Sequence, residues 1–320
     1  MAVNIHPDFL TFTYLSRSLA GGCQVVQDFL ILNNFSTGDY SVEGRSPRWF
    51  VRSPVGLMAQ FKESSEGLKG RIELGGAFFK GCSDNISPLH QVFRVPDSNI
   101  TRFDIAIDDY SRRVMPLDVY EECKLGNFKL FRSFELQQSS LRDGSPASTL
   151  YLGSKGKGEK LLRVYDASLI HDVNAIRWEL QLRRDRASLA VDLTCLSSSP
   201  QKQMASFLTG SVDFGSFCQS NSSVNFRRFS WWKELIKDCG ATPEKLTLSK
   251  DDPALAKMIN WVRDQCSPSL GVLLRALGVE DFCQFVLNSS TPRMRQHHYL
   301  LVNELINLKN NNNNEDGFLI

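Results

Sequence analysis

Thr101-Arg102-Phe103-Asp104-Ile105-Ala106-Ile107-Asp108-Asp109 alternates apolar and polar residues. Side chains two apart share a strand face, so Phe103, Ile105 and Ile107 point one way and Arg102, Asp104 and Asp108 the other. Two later stretches repeat the pattern. In Ile176-Arg177-Trp178-Glu179-Leu180-Gln181-Leu182 the apolar set is Ile176, Trp178, Leu180 and Leu182, opposite Arg177, Glu179, Gln181 and Arg183. In Leu161-Leu162-Arg163-Val164-Tyr165, Arg163 and Tyr165 share the face opposite Leu162 and Val164. Pairing of these strands would gather carboxylates, arginines and a tyrosine on one sheet face. Those are the residue types of a metal-assisted phosphodiester site.

Around these strands the pattern predicts an α+β chain. Residues 1–100 read as short strands broken by Gly, Pro and Ser, clearest at 49–51, 57–62 and 69–74. A helix is predicted at 117–124, a loop at 139–148 (SSLRDGSPAS), and strands at 149–152, 161–165 and 176–182. Residues 183–196 continue as a helix. After about residue 200 the period becomes helical: Leu255, Met258, Ile259, Val262 and Cys266 form one set, and Leu270, Leu273, Leu274 and Leu277 another. A last helix is predicted at 292–309, before an Asn-rich tail. The expected architecture is an antiparallel-sheet catalytic domain (1–200), a smaller, mainly helical C-terminal domain (201–309) and a disordered tail (310–320).

Composition sets bounds. The 320 residues carry a net charge of only +2, so any positive surface must come from clustering. Eight scattered cysteines show no Cys-x-x-Cys or zinc-type spacing and read as reduced thiols of a cytoplasmic protein. No secretory signal and no apolar run of ~18 residues is visible, so no membrane partner is expected. Gly-x-Ser-x-Gly, His-Glu-x-x-His, dinucleotide-binding glycines and His-x-His pairs are all missing from the sequence. His297-His298 read as surface residues on the last helix.

The candidates divide by chemistry. Asp104 and Asp108 lie four residues apart, ~13 Å at strand rise, too far for both to reach one ion at ~2.0–2.2 Å. A second strand must contribute, and Glu179 is its best donor. The expected divalent-metal ligands (Mg2+ or Mn2+) are therefore Asp104 and Glu179, with Asp108 admitted if the strand bends. The competing reading is a solvated sheet face with surface ion pairs to Arg102 and Arg177. Tyr165, beside Arg163, is a candidate nucleophile whose phenol needs a cation to lower its pKa from ~10. Tyr151 competes for that role. Lys155, Lys157 and Lys160 on a glycine-rich loop, together with Arg177, Arg183 and Arg184, are candidate DNA-backbone contacts; for the lysines a plain surface turn fits equally well. Arg227-Arg228 precede Trp231-Trp232, a pair that suits single-stranded nucleic acid or half of a core.

Arg102-Phe-Asp-Ile-Ala-Ile-Asp-Asp109, Leu150-Tyr-Leu-Gly-Ser-Lys155, Leu162-Arg-Val-Tyr-Asp166 and Arg177-Trp-Glu-Leu-Gln-Leu-Arg183 together resemble successive motifs of the replication initiation factor family. These are the trans-acting Rep proteins of rolling-circle plasmids and filamentous phages. Ser65-Glu-Gly-Leu-Lys-Gly-Arg-Ile-Glu-Leu-Gly-Gly76 is similar to the phage branch, and the likeness is strongest over residues 50–200. The resemblance implies a metal-dependent DNA nicking-closing enzyme in a bacterial host cytoplasm. Tyr165 would be the nucleophile, forming a 5′-phosphotyrosyl bond and freeing a 3′-OH primer, with Asp104 and Glu179 as metal ligands. It also implies origin DNA, single-stranded or hairpin, as partner, with a host helicase and a second copy of the chain. Ala167 stands where the family usually has lysine, and Lys160 or Arg163 is the candidate replacement. A water-using nuclease and a non-catalytic DNA-binding accessory protein are the rival readings.

Overall fold

The computed structural model describes residues 2–36, 40–140, 144–156, 158–169, 173–220, 223–246 and 267–290. The chain opens with β1 (Val3–Ser16), α1 (Leu19–Leu32), β2 (Ser41–Arg45), β3 (Arg48–Arg52), β4 (Leu57–Ser64) and β5 (Gly67–Gly75). Two short helices, α2 (Gly76–Gly81) and α3 (Ser87–Val92), lead to β6 (Asn99–Asp109) and α4 (Pro116–Lys124). Next come β7 (Phe128–Lys129), β8 (Phe134–Ser140), β9 (Pro146–Leu152), β10 (Lys160–Asp166) and β11 (Ile176–Arg183). Then follow α5 (Asp185–Leu196), α6 (Pro200–Ser211), β12 (Asp213–Ser220), β13 (Ser223–Arg228) and α7 (Ser230–Asp238).

Ten strands form one antiparallel sheet in the order β2-β3-β4-β5-β1-β6-β11-β10-β9-β8. The α+β expectation therefore holds. Alternation in β4 and β5 buries Leu57, Ala59, Phe61, Leu68, Ile72 and Leu74 and exposes Met58, Gln60, Lys69 and Arg71 between them. The apolar face continues through Leu10 and Phe12 to Phe103, Ile105 and Ile107 and on to Trp178, Leu180 and Leu182. Helix α1 covers one end of that face, its Phe29 5.4 Å from Phe12. Gly22 of α1 lies so close to Phe61 that a Cβ would sit 2.6 Å from the ring. At the other end Trp178 packs on Phe214, Trp231 and Trp232, with ring centroids 5.3–6.1 Å away.

Three expectations change. The N-terminal segment is not only short strands: β1, fourteen residues long, is central, and α1 follows it. Both faces of β1 are largely covered, which erases the alternation that would mark it, and Pro7 sits at a register shift where its missing N–H is tolerated. The loop placed at 139–148 is strand at both its ends. Residues 201–246 are not a separate helical domain. They form part of a compact unit running to Leu248 and contain a β-hairpin, β12–β13.

The second unit begins at Ser249, and its described part is α8 (Ser267–Ser290), interrupted at Gly278 (φ 78°, ψ 170°). The sets at 255–266 and 292–309, His297-His298 and the tail lie outside the described residues. No helix among the described residues is long and apolar enough to cross a membrane.

Candidate active site

Strands β6, β11 and β10 are neighbours, with Gln181 opposite Asp104, Glu179 opposite Ala106, and Arg163 opposite Glu179. Because alternation is unbroken on all three, the polar side chains share one face. Tyr165 Oη donates to Glu179 Oε2 at 3.1 Å. Arg163 Nη2 donates to Glu179 Oε1 and, at 3.1 Å, to Asp104 Oδ2. Asp104 also accepts from Arg102 Nε (2.9 Å) and Nη2 (2.5 Å), and from Gln181 Nε2 (3.3 Å). Arg102 is braced in turn over the Phe9 ring at 4.2 Å.

Both carboxylates are buried, Asp104 completely and Glu179 to 2 % exposure. Burial raises the Glu179 pKa, Arg163 opposes this, and the charges of Asp104 and Asp8 add to it, leaving it at about 8. Burial, reinforced by the Glu179 charge, also pushes the Tyr165 phenol above its ordinary value. The phenol is thus a proton donor, and the acceptor it faces is a carboxylate of unusually high basicity.

Asp108 belongs to a second cluster. Arg177 Nε and Nη2 hold its two oxygens at 2.6 and 3.0 Å, His6 Nε2 lies 3.1 Å from Oδ2, and Asp8 Oδ1 receives Arg177 Nη1 at 3.1 Å. Burial works against the Asp108 charge, but hydrogen bonds from His6 and Arg177 and the charge of Arg177 outweigh it. The carboxyl is held at about 2. The structure thus gives Asp108 an ion-pair role instead of joining it to Asp104 and Glu179. Arg177, expected against DNA, is fully buried between two carboxylates.

The loop cations also sort themselves. Lys160 Nζ donates to Ser211 O at 2.9 Å and lies 4.3 Å over the Phe131 ring. Burial, then the charges of Arg186 and Lys245, lower its pKa to about 8, so it is a packed lysine and not a mobile phosphate ligand. Lys155 is exposed, beside Glu135 at 3.2 Å and over the Tyr151 ring at 3.7 Å. Lys157 lies outside the described residues. Arg183 is half-buried and donates to Gln181 at 2.7 Å, whereas Arg184 is exposed. Tyr151 stands opposite Arg163 on the site face, but among the described residues it bonds to neither carboxylate. Ala167 is buried in a short turn. Of its two candidate replacements, Arg163 is in the site and Lys160 is at Ser211. Trp232 is buried in the core cluster, and no base can stack on it.

Asp104 and Glu179 are hard oxygen donors of the kind Mg2+ and Mn2+ take while keeping several waters. No third His, Cys, Asp or Glu joins them among the described residues. Their oxygens suit a divalent ion by donor type, and such an ion would take over the charge balance that Arg163 and Arg102 supply to the pair here. Arg163 Nε, buried and without an acceptor among the described residues, fits a phosphate oxygen nearby. His6 and Asp8, both from β1, are the participants that strand-pattern reading misses. An isolated His-Pro-Asp at the N-terminus carries no pattern, and only the pairing of β1 with β6 brings it here.

The sequence pattern of the replication initiation factor family matches residues 98–287. A protein named for DNA relaxase activity, NicK of Bacillus subtilis (strain 168), is 26% identical over 206 residues, covering 59% of this chain and 57% of that one. The chain therefore spans a little over half the length of the curated relative it matches. The structure of a rolling circle replication initiator protein from Geobacillus stearothermophilus shares the fold, with a TM-score of 0.58 at 16% identity. That match covers 76% of this chain and 99% of the other. With three strands of the site inside the matched region and more than half of the chain matched, the protein belongs to the replication initiation factor family.

Proposed function

We propose that this protein initiates rolling-circle replication by nicking and rejoining one origin strand through metal-dependent tyrosine transesterification. One observation carries the reading: Tyr165, Glu179, Arg163 and Asp104, drawn from three strands, form one connected hydrogen-bonded group. Tyr165 Oη attacks the scissile phosphorus as its proton passes to Glu179 Oε2. The new O–P bond replaces the bond to the 3′ oxygen, which leaves with a proton as the 3′-OH primer. The result is a 5′-phosphotyrosyl link, and reversal of the same exchange closes the strand. Arg163, with a spare Nε donor, meets the negative charge that builds on the phosphate oxygens. Asp104 and Glu179 would hold a divalent ion, which would keep Glu179 ionised and would supply Lewis-acid stabilisation of that charge. Arg177, neutralised by Asp108 and Asp8, stiffens the wall beside Tyr165. The same reading places the protein in a bacterial host cytoplasm with origin DNA, a host helicase and a second copy as partners.

The test uses a labelled single-stranded origin library with Mg2+ or Mn2+. Wild-type protein should give a protease-sensitive covalent adduct. Tyr165→Phe should give none while binding DNA nearly as well, since it lacks only the nucleophilic oxygen. Cleavage without an adduct in both proteins would make water the nucleophile. Binding without cleavage in either would mark a non-catalytic accessory protein.

A further inference from the structure

The site face does not end at Asp104. Thr11 pairs with Arg102 on one side and Glu73 on the other, so the face runs from β6 through β1 into β5, β4, β3 and β2. Register places Arg52, Met58 and Glu73 in one row across β3, β4 and β5, Phe50, Gln60 and Arg71 in the next, and Arg48, Lys62 and Lys69 in the third. Arg45 on β2 extends that last row. Six cations (Arg45, Arg48, Arg52, Lys62, Lys69 and Arg71) thus share this half of the face with two carboxylates, Glu43 and Glu73.

All six are exposed. Arg71 pairs with Glu73 at 2.7 Å and Lys69 with Glu66 at 3.7 Å. Among the described residues no carboxylate pairs with Arg45, Arg48, Arg52 or Lys62. Charges on an edge strand commonly serve to block edge pairing. That explains Arg45 alone, because the rows continue inward over β3, β4 and β5. Two apolar side chains lie among the cations, Phe50 at 37% and Met58 at 43% exposure.

We infer that the outward face of β2–β5 is a docking surface for single-stranded DNA adjoining the scissile phosphate, a reading that rests on the function proposed above. Its cations are point charges suited to backbone phosphates, and Phe50 offers a ring on which a base can stack. From β3 to β6 is four strand spacings, about 19 Å, the length of five or six stacked nucleotides. Arg102 joins the two regions. On the far side of the site Lys155 is already paired with Glu135 of β8 and hydrogen-bonded to Gln137.

Fluorescence anisotropy with labelled oligothymidylate, in EDTA so that no chemistry intervenes, tests this on the full chain. The variant Arg48→Gln/Arg52→Gln/Lys62→Gln/Lys69→Gln changes exposed residues only, and its thermal melt should match wild type. The slope of log affinity against log salt should fall by about 3, at ~0.7 for each phosphate that is no longer neutralised. Phe50→Ala should weaken binding about tenfold at unchanged slope. An unchanged slope and affinity in the quadruple variant would overturn the surface, as would a blunt duplex competing better than the single strand. Failure of wild type to form the Tyr165 adduct, with the slope change intact, would instead sink the nicking reading and leave the surface standing.

Discussion

Glu179 is held in a position its charge resists: its strand is central, its neighbour is Asp104, and the hydroxyl it faces belongs to Tyr165. A carboxyl whose folded pKa is raised favours folding most below its unfolded value, near 4.5. That contribution is lost as pH rises towards about 8. Wild-type protein in EDTA should therefore lose melting temperature between pH 5 and pH 8. Glu179→Gln should lose less, ending above wild type at pH 8. Mn2+ should reverse the order at pH 8, because an ion that binds only folded protein stabilises it by about 2.7 kcal/mol at a hundredfold excess over Kd. Glu179→Gln should gain far less from Mn2+. Identical pH and Mn2+ responses in the two proteins would remove Glu179 from both the proton and metal roles. Asp108 titrates in the opposite sense. With its carboxyl held at about 2, it contributes stability above the unfolded value near 3.8, which is lost as pH falls through about 2. Two acids on one sheet face thus have opposite pH signatures, and their partners decide which is which.

At the scale of elements, β11 ties chemistry to core. Each residue on its polar face alternates with one in the core, so Glu179 is aimed by Trp178 and Leu180 on the reverse side. Trp178 is fully buried and meets three aromatic rings from β12 and α7. Trp178→Ala should cost about 3–5 kcal/mol by loss of burial and the cavity left behind. Nicking should fall by more than the unfolded fraction explains, because β11 loses the packing that fixes the direction of Glu179. Urea melts at the assay temperature, set beside specific nicking activity, separate the two effects. Activity proportional to the folded fraction would show that the strand is held by its ladder alone. Strand β1 plays the matching part on the other flank, carrying His6 and Asp8 to Asp108 and Arg177.

Over the whole molecule, the first unit reaches Leu248, since β12 and α7 complete the core under β11. A chain of residues 1–200 lacks Phe207, Phe214 and Trp232, all fully buried, and should show no cooperative melt. A chain of residues 1–248 should melt cooperatively, and a cooperative melt of the shorter one would restore a boundary near 200. What the sequence alone determined were the three strands that meet in the candidate site, since alternation of apolar and polar residues survives wherever one face of a strand packs on the core and the other carries polar side chains. Asp104, Glu179, Arg163 and Tyr165 were legible for that reason. Strand β1 was not, because both of its faces are largely covered and burial on two sides leaves no period to read. Tertiary structure alone decided that Asp108 and Arg177 neutralise each other and that Lys160 is packed against Phe131. It also decided that the outward cations of β2–β5 share a face with Tyr165. Charge pairing, burial and strand register join residues far apart in the chain, and none of the three leaves a local mark in it.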